Sequence, residues 1–538
     1  MTNSSKPGGQ SQREQQPASA QARPPPPYNP TPSQPTTLPN YPIIQPYPIQ
    51  QPYNPIYVRS GERPGTRFCR AFFVAIIIWL LSGAFIRSFL SLVHWRHHHH
   101  HRHHGPGGPG SYAIPPELTL SACVTGSAWS LEPFSPTSYA PQYPPGHSFL
   151  PPSAFPYSSQ RTFELPLNQG PGGDGTVLLL SRGPMSSGTL DVVVDPEQER
   201  GVASVRVTVK YFREDARDVA QACLVERGEG VSGVGVFTPE WWYTGPGVDK
   251  QLYMEITIVL PSDESAPLFI KKFETDLPNT LHRLGDLGKT VSFGSISLRG
   301  TNASIQVKSV RMDQGSFITK NGGIQGTFNA STSLELKTSN APIRVDVGLH
   351  STGDSAERRP PAPDFEMSTS NGPIDASINL LSSPNSPSEP HYTIQASTSN
   401  SRLNIKFPPL PLFPLSSSSH SPILSLTART SNAPASVSLY PTYEGRFSLQ
   451  TTNHGVEVHE TKQGGVEGGQ GGRRRRVVMQ RMGRGGGRRK IEGLVEWVGV
   501  GDDKGEEGGK GLNKGKREGE GKGRVDVRSQ NALVLLEL

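Results

Sequence analysis

The chain has 538 residues, of which 58 are Gly and 52 Pro, while 33% are hydrophobic and 18% charged; this composition excludes one compact domain filling the chain and demands linker or disordered segments. The net charge of +7 is local, because residues 463–523 hold 15 Lys/Arg against 9 Asp/Glu and leave the rest near neutrality, which excludes a basic domain. Three cysteines, Cys69, Cys123 and Cys223, exclude a disulfide-dense scaffold and a zinc site built on several thiolates, and permit at most one intrachain bridge.

Residues 1–66 are dominated by Pro, Gln, Ser, Thr and Tyr. Pro locks φ and removes a donor, so this tail is predicted to be disordered with polyproline II character, its PYPxxQPY repeats being candidates for modules that read such helices. Residues 71–86 read AFFVAIIIWLLSGAFI without a charge, and beyond Arg87 the apolar run continues to Val93. Arg87 can snorkel, so 71–93 is predicted to be one transmembrane helix. Arg59, Arg63, Arg67 and Arg70 precede it, against Arg96 and Arg102 behind, which predicts a cytoplasmic tail and an extracytoplasmic carboxyl portion, a type II topology in the plasma membrane or secretory pathway. Cys69 is a palmitoylation candidate.

Residues 94–160 read as a His, Pro and Gly rich stalk. His97, His98, His99, His100, His101, His103 and His104 form an imidazole run, but a Gly/Pro flank supplies no second shell, so the expected metal affinity is adventitious and no resident metal or cofactor is assigned. Residues 161–290 alternate in segments such as ASVRVTVKYF and QLYMEITIVLP and are expected to form a β-rich cap.

From 291 to 462 a pattern recurs around Asn302, Asn321, Asn340, Asn371, Asn400, Asn432 and Asn453, with an eighth copy at Asn531. Four positions before each Asn stand Leu298, Phe317, Leu336, Met367, Ala396, Ala428, Leu449 and Val527, and three after it Ile305, Ile324, Ile343, Ile374, Leu403, Ala435, Val456 and Val534. Period-two alternation on both sides of a fixed Asn predicts strand, turn, strand, with the Asn a structural turn residue that tolerates the left-handed region. Successive Asn spacings of 19, 19, 31, 29, 32 and 21 describe a unit of about 20 residues with loop insertions. Such a unit cannot bury its own apolar face, so the predicted fold is all-β, a stacked β-solenoid, with an antiparallel β-sandwich as the alternative. Residues 463–523 read as a basic, Gly-rich, low-complexity insertion, after which 524–538 return as the final solenoid strands.

The run from ITIVLP through KKFETDLPNTL and FGSISLRGTNASI to the TSNAPI, TSNGPI and TSNAPA corners resembles the putative adhesin β-solenoid family in the form found in fungal single-pass membrane proteins, over about residues 189–462 and 524–538. The resemblance implies a right-handed stacked β fold at a cell surface without an enzymatic activity or cofactor.

Other motifs are set aside on context. Gly228, Gly230 and Gly233 match a dinucleotide fingerprint, but the segment behind them is β-prone and broken by Pro where a helix is needed. Gly288, Lys289 and Thr290 copy the end of a phosphate loop whose first Gly is here Arg283. Outward positions beside the corners, Gln306, Gln325, Arg344, Asp375, Asn404 and Ser436, show no paired carboxylates of the kind glycoside hydrolysis needs, so no catalytic residue is assigned. Trp241, Trp242 and Tyr243 read as cap packing, with sugar stacking as the alternative. Asn302 and Asn329 lie in glycosylation sequons, and pairing of Cys123 with Cys223 stays open.

The expected function is display of a non-catalytic adhesin-like platform that binds or spaces wall polysaccharide or surface protein. The alternatives are a membrane-anchored cytoplasmic scaffold whose Gly/Arg loop binds nucleic acid or anionic lipid, a partner class the extracytoplasmic topology disfavours, and a carbohydrate-active enzyme on a β-helix. Ligand and oligomeric state are not fixed by the residues.

Overall fold

The structure is a computed structural model, and it describes residues 112–131, 152–167, 175–228, 230–239, 250–263, 265–351, 362–382, 389–409, 422–460, 473–482, 489–499 and 522–538. These belong to one compact unit. The expected tail and transmembrane helix, Cys69, the seven-histidine run and Trp241 to Tyr243 lie outside the described residues. Among the described residues no helix is long and apolar enough to cross a membrane.

The unit is built from strands β1 (Thr119–Val124), β2 (Ser130–Leu131), β3 (Tyr157–Pro166), β4 (Thr176–Arg182), β5 (Gly188–Asp195), β6 (Val202–Tyr211), β7 (Gln221–Glu226), β8 (Val231–Phe237) and β9 (Leu252–Pro261). Then come β10 (Leu268–Asp276), β11 (Thr280–Asp286), β12 (Val291–Arg299), β13 (Ile305–Ile318), β14 (Ile324–Lys337), β15 (Ile343–Ser351), β16 (Asp364–Thr369), β17 (Ile374–Ser382), β18 (His391–Thr398) and β19 (Leu403–Lys406). The last are β20 (Ile423–Thr430), β21 (Ala435–Ser438), β22 (Gly445–Thr451), β23 (Val456–His459), β24 (Arg473–Met482), β25 (Arg489–Gly499), β26 (Gly523–Ser529) and β27 (Val534–Glu537).

Each Asn corner joins a strand of one row to a strand of another. The first row pairs in parallel in the order β8, β4, β10, β12, β13, β14, β16, β18, β20, β26, β22. The second runs β9, β5, β11, β13, β14, β15, β17, β19, β21, β27, β23. The long strands β13 and β14 contribute to both rows, which makes one open sheet. Parallel pairing of successive coils rules out the antiparallel sandwich.

Apolar side chains between the rows form one core. All eight residues four positions before the Asn are buried, and so are those three positions after it, except Val456. Val456 is half-buried because its strand β23 is the last of the second row among the described residues, where no further coil covers it. Ring pairs Phe273/Phe293 and Phe317/Phe328 pack edge-on at 5.8 and 4.8 Å. Such burial is the main stabilising term in a fold whose coils cannot stand alone.

Four sequence expectations need correction. Within 161–290 the pairs β4/β5, β8/β9 and β10/β11 are coils of the stack; only the antiparallel additions β7 and β1 in the first row, and β6, β3 and β2 in the second, cap it. The stalk is shorter than 94–160, because β1, β2 and β3 belong to that cap and Trp129 is buried, its indole N–H donating to Ala220 O at 3.3 Å. The 463–523 insertion contains the β24–β25 hairpin, which extends the first row antiparallel to β22. Finally, β26/β27 do not end the stack: they lie between the β20/β21 and β22/β23 coils. The same inversion occurs at the other end, where β4/β5 lie between β8/β9 and β10/β11.

Candidate functional site

The recurrent Asn builds a continuous amide ladder along one edge of the stack. Its side-chain Nδ2 donates to Oδ1 of the Asn one coil below, in the order Asn302 to Asn279, Asn321 to Asn302, Asn340 to Asn321, Asn371 to Asn340, Asn400 to Asn371, Asn432 to Asn400, Asn531 to Asn432 and Asn453 to Asn531, all at 2.6–2.8 Å. None of these Asn has a positive φ; Ala122 is the one non-Gly residue described that does. The left-handed turn role is therefore corrected. Asn is required because a carboxamide carries donor and acceptor together and can pair with copies of itself at the coil spacing of about 4.8 Å.

Beneath the amides runs a buried hydroxyl ladder two residues earlier. Thr319 Oγ1 donates to Ala303 O at 3.1 Å and Thr338 Oγ1 to Gly322 O at 3.0 Å, and the pattern continues through Thr369, Thr398, Thr430, Ser529 and Thr451, each reaching the carbonyl after the neighbouring Asn. At seven corners the carbonyl that follows the Asn is thus satisfied by the next coil, which fixes coil-to-coil register.

Asn279 escaped the sequence pattern because Thr275 and His282 occupy the two apolar positions around it. Both are fully buried, and Thr275 Oγ1 pairs with His282 Nε2 at 2.9 Å. Burial lowers the imidazole from its ordinary 6.5 to about 4, so His282 is neutral at physiological pH.

The outer faces are flat rows of polar side chains. In the second row Gln306, Gln325, Arg344, Asp375, Asn404 and Ser436 stand in line on consecutive coils, as their spacing implies. In the first row the structure corrects the statement that no carboxylates pair, since Glu335 and Glu366 are direct neighbours on adjacent coils. Each stands five residues before its corner Asn, on the strand that precedes the turn, so the positions that follow the corner do not reveal them. Ser316 Oγ donates to Glu335 Oε2 at 2.9 Å, and Glu366 is exposed on an open face. Gly228 and Gly230 lie in the β7–β8 hairpin turn, where Arg227 N–H donates to Val231 O, and Gly233 lies within β8, so a strand stands where the fingerprint needs a helix. Among the described residues no group of His, Cys, Asp and Glu is placed to hold a metal.

Of the two sequons, Asn302 has its amide nitrogen, the atom a glycan would modify, committed to Asn279, whereas Asn329 lies half-buried within β14. At the amino-terminal edge Cys123 and Cys223 form a disulfide that fastens β1 to β7, with Cα atoms 4.1 Å apart. Around it Tyr112, Ile114, Leu118 and Leu120 cover Leu178, Leu180, Val225 and Phe237 on the outer side of the first row.

Comparison with known proteins yields one family match. Residues 315–464 match a model described as a domain of unknown function, DUF7330. No curated protein matches. Among solved structures, a crystal structure of a "putative cell adhesion protein" from Clostridium sporogenes aligns over 71% of this chain and 100% of its own, at 9% identity and a TM-score of 0.14. At that score the likeness carries no argument.

Proposed function

We propose that the chain is a single-pass, type II membrane protein that displays a non-catalytic, adhesin-like β-solenoid outside the cytoplasm, where it binds or spaces wall material or surface protein. The Cys123–Cys223 disulfide carries this reading. Structural disulfides persist in oxidising compartments and are rare in the cytosol, and this one fastens the first strand after the predicted span to the fold. The apolar run 71–86 and the Arg bias before it supply the anchor and its direction. The ladders support a platform role, since the polar groups of each corner are spent on the next coil.

The test is the redox state of the two cysteines in native membranes, in a Cys69→Ser background. Alkylation of free thiols with a maleimide of high mass before and after reduction is expected to shift the protein only after reduction. A shift without reductant, together with protease access to the carboxyl portion in right-side-out cells being absent, overturns the topology and favours the cytoplasmic scaffold.

A carbohydrate-active reading draws on one observation, the Glu335/Glu366 neighbours. Both project from one sheet face, whereas glycoside hydrolysis needs carboxyl groups flanking the bond cleaved. Release of reducing ends from wall polysaccharide by the wild type, lost in both Glu335→Gln and Glu366→Gln, would replace the display reading.

A further inference from the structure

The two rows of the stack do not end together. The second row stops at β23, while the first continues through β25 and β24, so the core-side face of this hairpin has no facing strand among the described residues. Residue parity defines that face. On β25, Ile491 and Val495 are buried beside Phe447 and Leu449 of β22, and Trp497 follows on the same side. On β24, the residues opposite them are Arg481, Val477 and Arg475.

Arg475 and Trp497 stand directly across from one another. Arg475 Nε and Nη2, the two nitrogens of one guanidinium edge, are buried without a hydrogen-bond partner among the described residues, and so is Trp497 Nε1. Three inward donors without an acceptor are costly to bury, and an oxyanion would satisfy them together. The Nε/Nη2 edge is the fork that receives a planar carboxylate bidentately, and the indole N–H supplies a third bond.

We propose that the core-side face of the β24–β25 hairpin is a binding site for the carboxylate of an acidic glycan, held by the Arg475 fork and the Trp497 N–H, with the sugar ring lying over Val477 and Met479. Met479 is 44% exposed and gives the ring an apolar surface beside the fork. Burial also lowers the Arg475 guanidinium, an effect that the charge of Glu460 offsets only in part. A uronate carries its charge directly on a rigid ring, so one anchor orients the residue. Nucleic acid fits less well, because two cations of the hairpin are already engaged, Arg476 with Glu496 at 3.7 Å and Lys490 with Glu492, and those carboxylates oppose a dense phosphate array more than a single carboxylate. The site deepens the display reading by naming a ligand class, and its chemistry is independent of which side of a membrane it faces.

The experiment is binding of hexagalacturonate to the full-length protein in detergent micelles, against its fully methyl-esterified form, an oligonucleotide and a polyglutamate of matched charge. Hexagalacturonate is expected to bind at least tenfold more tightly than each of the others. Arg475→Lys, which keeps the charge and loses the fork, and Trp497→Phe are each expected to weaken it at least tenfold without lowering the thermal midpoint. Arg481→Gln, which removes a cation from the same strand, is expected to change it less than threefold. No binding, equal binding of acid and ester, equal loss in Arg475→Lys and Arg481→Gln, or preference for the oligonucleotide or polyglutamate each overturns the proposal, and none of them bears on the redox test of topology.

Discussion

At the scale of single residues, the corner Asn is defined by what its amide does for the neighbouring coil. Asn371 makes two ladder bonds, to Asn340 and from Asn400, whereas Asn453 stands at the end and donates one, to Asn531. At about 1 kcal/mol net per exposed hydrogen bond, Asn371→Ala is expected to cost about 2 kcal/mol and Asn453→Ala about half of that, read from denaturant midpoints. Equal losses would assign the Asn to its own turn instead of to the ladder. His282 gives a pH signature. Its folded-state value of about 4 lies below the ordinary 6.5, so the unfolded chain takes up the proton first. Stability is complete above about pH 6.5 and falls as pH drops toward 4, by on the order of 3 kcal/mol. In the double variant Thr275→Val, His282→Leu, which restores the apolar pair of neighbouring coils, that slope is expected to flatten in urea titrations at pH 7 and pH 4.5.

At the scale of elements, the strands were legible because their alternation repeats. The Asn offsets located β12 to β23 and β26/β27, and the apolar positions they named are buried. What escaped was partnership. The segment TLSACV reads as stalk between Pro-rich stretches, yet as β1 it pairs with β7 from Thr119/Glu226 to Val124/Ala222. No local pattern announces a contact across a hundred residues. Reduction of the disulfide, or Cys123→Ser, is expected to release β1 and the 112–120 segment first, seen as faster amide exchange there while β13 to β17 stay protected. A second element-level expectation concerns β14. Gly326 has φ of +135°, and a Cβ there would stand 1.8 Å from Val307 O. Gly326→Ala is therefore expected to cost more than about 1 kcal/mol, unlike substitution at the equivalent Val345 and Ala376.

At the scale of the whole molecule, the inverted coil order at both ends matters most. The carboxyl-terminal coil lies inside the stack, hydrogen-bonded on one side to β20/β21 and on the other to β22/β23. Truncation after residue 460 is therefore expected to do more than shorten the stack. It removes the support beneath β22/β23 and breaks the ladder between Asn432 and Asn453. Exchange protection should vanish from 445–459 as well as from the deleted strands, while a simple terminal coil would leave 445–459 protected.

The sequence alone carried the repeating unit, the two faces of the strands that flank each recurrent Asn and the position of every Asn corner from Asn302 onward, because side-chain alternation and turn chemistry are local and recur. It left Asn279 unseen, since a buried Thr/His pair replaced the apolar signal there, and it misread the role of Asn, since a ladder exists only between coils. Tertiary structure alone decided which strands pair, where the chain reverses coil order, that Cys123 meets Cys223, and that Arg475 and Trp497 turn their donors to a face the second row does not cover. Each of these depends on residues brought together across long separations, and strand pairing, unlike alternation, has no period along the chain.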